Sequence, residues 1–393
     1  MRYVWLLCVG LLIVPQHYAN AASDWVGSWG ASPSDPLPGV TPPTRSLRDQ
    51  TVRTVVHLSL GGPALRLRFS NTLGTTPLAL GSVHVARWDN GAIVSGTDRQ
   101  VTFGGAASAI IPKNAVLLGD PVALELPNLA DIAVSIYFPT DTGPITVHAL
   151  AVQTSFIASG DATTHPNLTE VARLDTRPVL SAVEMRRPDA AAVVMLGDSI
   201  TDGQKSTVDA NARYPDDLAR RLAGANMAVG IVNAGINGNR LLSESHFGPN
   251  ALARFDRDVL AQAGVRSVVV LLGINDIGHV PDTPATAAQI ITALRQIAER
   301  GHEQGLRMIG GTLLPFENSP YWAESGEAMR QAVNGFIRNG GAFDAVVDFD
   351  AATRDPDRPV RLRPDFDSGD HLHPNDAGYK AMAEAIDLKL LGP

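Results

Sequence analysis

The stretch Ala191-Ala192-Val193-Val194-Met195-Leu196-Gly197-Asp198-Ser199-Ile200 decides the fold of this chain. Its first six residues form an uninterrupted apolar run that ends at a glycine, a pattern typical of a buried parallel strand. Chain that leaves such a strand lies at the carboxyl edge of the sheet, where open α/β folds place their chemistry. The pattern therefore predicts that Ser199 lies at this edge, either as a nucleophile or as the N-cap of the next helix.

The chain after residue 187 alternates between apolar runs and amphipathic segments. The predicted strands are 191–196, 227–232, 267–272, 306–311 and 345–348, and the predicted helices are 214–222, 251–261, 286–302, 324–338 and a last one from 375 to 390. This alternation implies right-handed βαβ crossovers and a parallel sheet covered by helices on both faces. We therefore predict a three-layer α/β/α domain over residues 190–393.

The preceding half of the chain has the two-residue period of strands. Val52, Thr54 and Val56 alternate with Arg53 and Val55, and similar short runs follow between turns rich in glycine and proline. This pattern predicts an all-β sandwich domain over residues 22–160. The mixed, polar segment 161–189 is interpreted as a linker between the two domains.

The aromatic and basic residues of the β-rich half allow two interpretations. Its tryptophans and three exposed-looking arginines could form a carbohydrate-binding surface, or the tryptophans could pack inside the sandwich and at the domain interface; these residues are Trp25, Trp29, Trp88, Arg53, Arg66 and Arg68. We favour packing, and we keep carbohydrate contact as a possible role of this domain.

The first 21 residues have the pattern of a secretory signal peptide. A basic start is followed by the apolar run 4–14 and by the small-x-small motif Ala19-Asn20-Ala21. We therefore expect a secreted protein, extracellular or periplasmic, with an uncleaved anchor or a buried N-terminal strand as the alternatives. The single cysteine, Cys8, lies in this segment, so the mature chain is expected to contain no disulfide and no thiolate chemistry.

Charge and composition argue against several classes of partner. The chain has 32 basic and 40 acidic residues and no run of lysine and arginine, which argues against binding to nucleic acid or to an anionic membrane surface. His, Cys and Glu do not occur at zinc-binding spacings, and no glycine-rich loop carries the lysine of a phosphate cradle. We therefore predict no metal and no cofactor.

The segment Asp370-His371-Leu372-His373-Pro374 supplies an acid and a base. Residues three apart lie on one face of a helical turn, so the carboxylate of Asp370 can reach Nδ1 of His373 and leave Nε2 free to meet Ser199. Hydroxyl, imidazole and carboxylate are the parts of a hydrolytic triad. The alternative is a surface turn in which His373 only caps a helix. His371 is a poorer base because its spacing turns it away from Asp370.

Two further loops offer donors for an oxyanion. The loop 233–240 follows the second predicted strand of the α/β half, and Gly273-Ile274-Asn275-Asp276 follows the third. Glycines allow close backbone approach, and amide groups are the donors that tetrahedral intermediates need. The alternatives are an ordinary turn and a helix cap. Asp198 is interpreted as a scaffold residue because it is adjacent to Ser199 and points elsewhere.

Together these segments resemble the sequence blocks of the GDSL, or SGNH, hydrolases, in the same order. Gly197-Asp198-Ser199-Ile200 is similar to the first block with Ile in place of Leu, and Gly238, Asn275 and Asp370-x-x-His373-Pro374 match the later blocks. The resemblance implies a flavodoxin-like fold with Ser199 as nucleophile, His373 as base and Asp370 as the group that orients it. It also implies an oxyanion hole formed by the Ser199 and Gly238 amides and the Asn275 side chain. The β-rich half resembles domains that precede such hydrolases in some secreted bacterial esterases.

These observations predict a secreted serine carboxylic-ester hydrolase that works through an acyl-enzyme on short acyl groups, such as the acetyl esters of a polysaccharide or of a small molecule. An α/β-hydrolase elbow is excluded because Thr201 stands where that motif needs glycine. The alternatives are a lipase or phospholipase, which should have an apolar patch or lid, an O-acyltransferase with the same triad, and a non-catalytic binding protein.

Overall fold

The computed structural model describes residues 24–34, 46–168, 172–245, 247–278 and 285–392 of the chain. The predicted signal peptide, residues 1–21, and Cys8 within it lie outside the described residues. None of the helices in the described ranges combines the length and the apolar character that a bilayer crossing requires.

The N-terminal part is rich in antiparallel strands, as its two-residue period predicts. In chain order these are β1 Trp25–Gly30, β2 Gln50–His57, β3 Gly62–Ser70, β4 Leu78–Leu80, β5 Val83–Asp89, β6 Ala92–Ile93, β7 Arg99–Gln100, β8 Ala109–Ile111, β9 Val116–Leu118, β10 Val122–Leu126, β11 Asp131–Phe138, β12 Val147–His148, β13 Ser155–Ser159, β14 Ala172–Leu174, β15 Arg177–Pro178 and β16 Leu180–Arg186.

Two larger antiparallel sheets share one hydrophobic core. One has the order β1-β16-β3-β10, with β9 also on β3, and the other has the order β14-β13-β2-β11-β5-β6, with β7 also on β5. The pairs β12–β15 and β4–β8 complete this part. Leu65 and Leu67 of β3 and Val134 and Ile136 of β11 are fully buried in the shared core. Alternation along each strand therefore directs apolar side chains from both sheets into the same space.

The linker predicted for residues 161–189 is wrong. Strand β16 belongs to this segment, and it pairs with β1 on one side and β3 on the other. The side chain of Glu184 in β16 is fully buried and accepts hydrogen bonds from Arg66 Nε at 2.5 Å and Arg68 Nη2 at 2.6 Å. Cross-strand arginines thus neutralise the carboxylate, and a segment of polar composition lies inside the sheet.

Arg53 is also not exposed, because its side chain is fully buried. Its guanidinium donates to the hydroxyl of Ser135 at 2.8 Å and to the carbonyl oxygen of His165 at 2.7 Å. Trp29 is buried, and the Arg66 guanidinium lies 4.7 Å from the ring centroid of Trp25. Of the three arginines that looked exposed in the sequence, Arg53 is therefore buried and Arg66 and Arg68 are only partly exposed, and carbohydrate contact stays a prediction.

The C-terminal half contains a parallel sheet and helices. Its strands and helices are β17 Ala191–Gly197, α1 Ser199–Asp202, α2 Tyr214–Gly224, β18 Val229–Gly235, α3 Ala251–Phe255, β19 Val265–Leu271, α4 Ile274–Gly278, α5 Ala287–Glu303, β20 Arg307–Gly311, α6 Glu324–Asn339, β21 Ala345–Val347, α7 Phe349–Thr353 and α8 Asp376–Glu384. Strand order β18-β17-β19-β20-β21 is the flavodoxin-like order in which the second strand along the chain lies outside the first.

Two predicted helices differ from the structure. The segment 251–261 begins as α3 and continues as the π-helical turn Asp256–Leu260. The last helix does not reach residue 390: Asn375 caps the start of α8, α8 ends at Glu384, and a separate 3₁₀ turn covers Leu388–Leu390. Apolar spacing continues across both breaks, so spacing alone could not reveal them.

Strand β1 joins the two halves of the molecule. The amide of Gly27 donates to the carbonyl oxygen of Ala263 at 2.9 Å, and the hydroxyl of Ser59 accepts from the amide of Ile231 in β18 at 2.8 Å. A Cβ atom on Gly230 would overlap the carbonyl oxygen of Gly27, so glycine permits the close approach of β1 to β18. The N-terminal part therefore packs directly against the edge strand of the parallel sheet.

Candidate active site

Ser199 is the first residue of α1, immediately beyond the end of β17. Its side chain is almost completely buried, with 4% of its surface exposed. The N-cap of the helix is Asp198, whose Oδ1 accepts a hydrogen bond from the amide of Ile200 at 3.0 Å. The cap function that was the alternative for Ser199 therefore belongs to Asp198, and the Ser199 hydroxyl is available for another partner.

That partner is His373. Ser199 Oγ lies 2.8 Å from His373 Nε2, and His373 Nδ1 lies 2.8 Å from Oδ2 of Asp370. Because the carboxylate only accepts, Nδ1 carries the proton and Nε2 is left to accept from the serine hydroxyl. His371 makes a separate pair with Asp367. The structure thus brings together the three residues that the sequence singled out and leaves His371 out.

The Asp370 carboxylate is held by donors on both oxygens. Its Oδ1 accepts from the amides of Leu372 at 3.0 Å and His373 at 2.8 Å, and its Oδ2 accepts from the His373 ring. Partial burial acts to raise the pKa of Asp370, but the hydrogen bonds from His373 outweigh it and hold that pKa far below its usual value. The carboxylate is therefore ionised at any pH at which the protein operates, and it fixes the tautomer of the ring.

The candidate oxyanion donors follow three adjacent strands. Ser199 follows β17, Gly238 lies in the loop after β18, and Asn275 lies in α4 after β19. Within the described chain, the amides of Ser199 and Gly238 have no protein acceptor. Gly238 has φ +66°, and a Cβ atom there would overlap the ring of Phe247. Backbone conformation and space both require glycine at this position.

The side-chain amide of Asn275 is oriented by its neighbours. Its Nδ2 donates to the carbonyl oxygen of Asn239 at 3.1 Å, and its Oδ1 accepts from the hydroxyl of Tyr321 at 3.2 Å. Since an amide nitrogen carries two hydrogens, one remains for another acceptor. Burial raises the pKa of Tyr321 to about 12, so this hydroxyl stays a donor. Sequence reasoning missed Tyr321, which lies 46 residues from Asn275.

Two buried carboxylates fix the backbone of the loop around Gly238. Asp276 accepts from the amides of Leu241 at 2.9 Å and Leu242 at 3.0 Å. Asp202, at the end of α1, accepts from the amide of Asn237 at 3.2 Å. Burial raises the pKa of Asp276, and the amide hydrogen bonds oppose this effect. The elements that carry Ser199 and Asn275 therefore also hold the loop that carries Gly238.

Arg254 is a second residue that sequence reasoning missed. Its fully buried guanidinium donates to the carbonyl oxygens of Gly197 and Ala234, each at 2.8 Å, and to Oδ1 of Asn239 at 3.0 Å. It also pairs with Asp258 at 2.9 Å. An Arg and an Asp four residues apart in an amphipathic segment are typical of an exposed ion pair. The sequence pattern therefore predicted exposure for a side chain that is buried.

Across the described residues, no group of three or more His, Cys, Asp and Glu side chains is arranged to hold a metal ion. The site contains instead a hydroxyl, an imidazole and a carboxylate in a hydrogen-bonded series, with amide donors nearby. This set of groups can perform acyl transfer with general base assistance.

The family comparison agrees with this chemistry. Residues 195–381 match the model of the GDSL-like Lipase/Acylhydrolase family. These residues therefore form a GDSL-like lipase/acylhydrolase domain, the domain of a family of ester hydrolases. The hydrolase fold predicted for the C-terminal half is thereby confirmed. No curated protein shows significant similarity to the chain.

Several solved structures are similar to about half of the chain. A lipase/acylhydrolase from Enterococcus faecalis is 24% identical, with 50% of this chain and 92% of that chain covered and a TM-score of 0.38. A GDSL-like lipase from Bacteroides thetaiotaomicron is 18% identical, with coverage of 51% and 87% and a TM-score of 0.38. A mutant of a Geobacillus acetyl-xylooligosaccharide esterase is 22% identical, with coverage of 52% and 94% and a TM-score of 0.40.

Proposed function

We propose that this protein hydrolyses short-chain carboxylic esters through an acyl-enzyme formed on Ser199. The observation that carries the proposal is the continuous hydrogen-bonded series from the Ser199 hydroxyl through the His373 ring to the Asp370 carboxylate. Each group has the partner that its role in a triad requires.

In the acylation half-reaction, Ser199 Oγ forms a bond to the ester carbonyl carbon while its proton passes to Nε2 of His373. The carbonyl electron pair moves onto oxygen, and the tetrahedral oxyanion accepts hydrogen bonds from the amides of Ser199 and Gly238 and from Nδ2 of Asn275. Asp370 stabilises the imidazolium that forms. The intermediate collapses, the alcohol leaves with the proton from His373, and the acyl group remains on Ser199.

Deacylation repeats these steps with water as nucleophile. His373 takes a proton from water, and the resulting tetrahedral oxyanion uses the same donors as before. When this intermediate collapses, the acid is released and Ser199 Oγ recovers its proton from His373. A second alcohol in place of water would give acyl transfer, the alternative outcome of the same machinery.

Two observations support a short acyl group. The ring of Phe247 lies against Gly238, and the hydroxyl of Tyr321 donates to Asn275, so a bulky aromatic residue lies beside each of these two oxyanion donors. The large apolar side chains with high exposure in the described residues are Ile110, Val116, Leu118 and Val208, and only Val208 lies in the hydrolase domain. A lipid-binding surface would need a larger exposed apolar patch than one valine provides.

The proposed location of this reaction is outside the cytoplasm, on acetylated polysaccharide or small-molecule esters. The sequence pattern of residues 1–21 supports export, and the acidic net charge of −8 supports neither nucleic acid nor an anionic surface as partner.

The test uses p-nitrophenyl esters from acetyl to palmitoyl with three proteins: wild type, Ser199→Ala and Ser325→Ala, an exposed serine in α6 that serves as matched control. We expect wild type and Ser325→Ala to prefer acetyl or butyryl, and Ser199→Ala to lose activity by at least about 10⁴-fold. Activity retained by Ser199→Ala would overturn the mechanism, and preference for palmitoyl would overturn the substrate class. Added glycerol that captured acyl groups faster than water would favour the transferase alternative.

A further inference from the structure

We propose that His148, in strand β12 of the N-terminal β-rich part, is a positioning residue for the oxyanion hole, a role that rests on the proposed esterase function. His148 does not touch the reacting atoms. It contacts Asp202 of the hydrolase domain, and Asp202 holds the loop that carries Gly238. The β-rich part would then take part in the reaction through this one buried contact.

Asp202 connects the helix of the nucleophile to the loop of the oxyanion donor. It is the last residue of α1, the helix that begins at Ser199. Its side chain is 4% exposed, and its Oδ2 accepts a hydrogen bond from the amide of Asn237 at 3.2 Å. The next residue is Gly238, whose amide is a candidate oxyanion donor. The carboxyl group of Asp202 therefore sets the position of this amide relative to Ser199.

The other oxygen of Asp202 is held from the β-rich part. Its Oδ1 lies 2.9 Å from Nε2 of His148, whose side chain is as deeply buried. One proton lies between two such atoms at this distance, and the restraint on Asp202 is the same whichever atom carries it. In the described part of the chain Oδ1 has no second hydrogen-bond partner. Loss of His148 would therefore leave a buried polar atom unpaired and free the carboxyl group to turn.

The ring of His148 is itself fixed within the β-rich part. Its Nδ1 lies 2.8 Å from the carbonyl oxygen of Ser32, and its Nε2 also lies 3.1 Å from the carbonyl oxygen of Leu150. The segment of Ser32 is joined to β12 by a β-bridge at Ser34. His148 is therefore a rigid support, and its position relative to Asp202 depends on how the two halves of the molecule pack.

Ser32 makes a second, independent contact with the supports of the site. Its hydroxyl accepts a hydrogen bond from Nη1 of Arg254 at 3.2 Å. Arg254 in turn donates to the carbonyl oxygens of Gly197 and Ala234, at the ends of β17 and β18. The β-rich part thus contacts both buried groups that connect the nucleophile to the oxyanion loop, namely Asp202 and Arg254. A small displacement of a catalytic donor is costly, so these contacts bear on the rate.

The first experiment replaces His148 by each of the two side-chain amides. Glutamine places its amide near the position of Nε2 and can still bond Asp202, whereas asparagine reaches only the position of Nδ1, beside Ser32. Both variants bury a neutral amide, so their comparison isolates the contact with Asp202. With p-nitrophenyl acetate we expect kcat of His148→Gln within about 3-fold of wild type and a loss of about 10–30-fold for His148→Asn, with KM nearly unchanged in both.

A matched control and a second variant complete this experiment. His84 in β5 is also a partly buried histidine whose Nδ1 contacts a carboxyl group, that of Asp98. His84→Asn should keep the kcat of wild type. Asp202→Ala should lose at least as much kcat as His148→Asn, because both of its contacts are gone. Equal kcat in His148→Gln and His148→Asn, or wild-type kcat in Asp202→Ala, would overturn the proposal.

The second experiment measures the loop without turnover. Hydrogen exchange followed by mass spectrometry should be faster for the peptide 234–241 in His148→Asn than in wild type and His148→Gln, because the amide of Asn237 loses its fixed acceptor. Exchange of the peptide 307–311, in β20, should be the same in all three proteins. Equal exchange of 234–241 in the three proteins would overturn the role of His148. A wild-type protein without esterase activity would instead contradict the proposed function, and the exchange rates would still decide whether His148 holds the loop.

Discussion

Arg254 donates a hydrogen bond to the carbonyl oxygen of Gly197 at 2.8 Å, two residues before Ser199. The same guanidinium bonds the carbonyl oxygen of Ala234 and the side chain of Asn239. One buried charge therefore joins the end of β17, which presents Ser199, to the end of β18 and to the loop that carries the oxyanion donor. This bond links the positions of nucleophile and oxyanion donors, and it can be tested.

Replacement of Arg254 by Met should lower the free energy of unfolding by about 3 kcal/mol, because two buried carbonyl oxygens and Asn239 lose their donor. Asp258 keeps Arg257 as a partner, because Arg257 Nε lies 2.5 Å from Asp258 Oδ1. This remaining ion pair limits the loss of unfolding free energy. We expect kcat to fall as well, because the strand ends lose their common support. Urea denaturation and steady-state kinetics would measure both, with Arg257→Met as control and a loss near 1 kcal/mol expected. Equal losses in the two variants would contradict this account of Arg254.

Asn275→Ala should lower kcat about 10²–10³-fold with a much smaller change in KM, because the amide contributes mainly to the oxyanion of the transition state. Tyr321→Phe removes only the hydroxyl that orients the Asn275 side chain. For this variant we expect an intermediate loss of about 10-fold, on the scale of one neutral hydrogen bond. If Asn275→Ala raised KM and left kcat unchanged, Asn275 would be a substrate-binding group and not an oxyanion donor.

Gly238→Ala should reduce activity by more than Gly305→Ala. Both glycines have similar positive φ angles, +66° and +69°, so both substitutions carry a comparable backbone penalty. At Gly305 a Cβ atom meets open space, whereas at Gly238 it overlaps the ring of Phe247 and must displace the loop. Activity and melting temperature of the two variants separate the effects. Similar activity in both would argue that the Gly238 amide has no part in the reaction.

The structural features that could be predicted from the amino-acid sequence are those that one segment of the chain encodes. The apolar run before Gly197 identified a buried strand, and the three-residue spacing of Asp370 and His373 identified a pair that the structure joins at 2.8 Å. These features are local, so they are visible in the sequence. His373 is 174 residues from Ser199 along the chain, and only the tertiary fold brings the two side chains together.

Buried charges were the part that sequence reasoning misjudged. Glu184, Arg53 and Arg254 are all fully buried, yet each lies in a segment that its composition marks as exposed or irregular. The charges of these side chains are compensated by side chains on other strands and by loop carbonyl groups. For Glu184 the compensating groups are two arginines of β3. Such partners are set by tertiary packing, which a period of two or of 3.6 residues does not encode.

Asp198 is expected to make the free energy of unfolding depend on pH. Burial raises its pKa to about 7, and its Oδ2 has no hydrogen-bond partner in the described chain. An unfolded aspartate has a pKa of about 3.9, so between about pH 4 and 7 the folded protein holds a proton that the unfolded chain has lost. The stability that this protonated carboxyl provides is complete below about pH 4 and is lost as the pH rises to about 7, a change of on the order of a few kcal/mol.

Asp198→Asn should remove this dependence, because the amide keeps the cap acceptor and does not titrate. Denaturation at pH 5, 6, 7 and 8 would show the variant gaining stability relative to wild type as the pH rises, with a constant difference above about pH 7. A difference that stayed constant from pH 5 to 8 would mean that Asp198 does not titrate in this range.

The central claim is that Ser199 is the nucleophile and that His373 activates it. Its most direct test is the reaction of the protein with diisopropyl fluorophosphate, followed by mass spectrometry of the intact chain and of its peptides. We predict a single adduct on Ser199, no adduct in Ser199→Ala, and labelling of His373→Gln slowed by at least about 10³-fold. An adduct formed on Ser199→Ala at the wild-type rate, or one located on another residue of the wild type, would contradict the account.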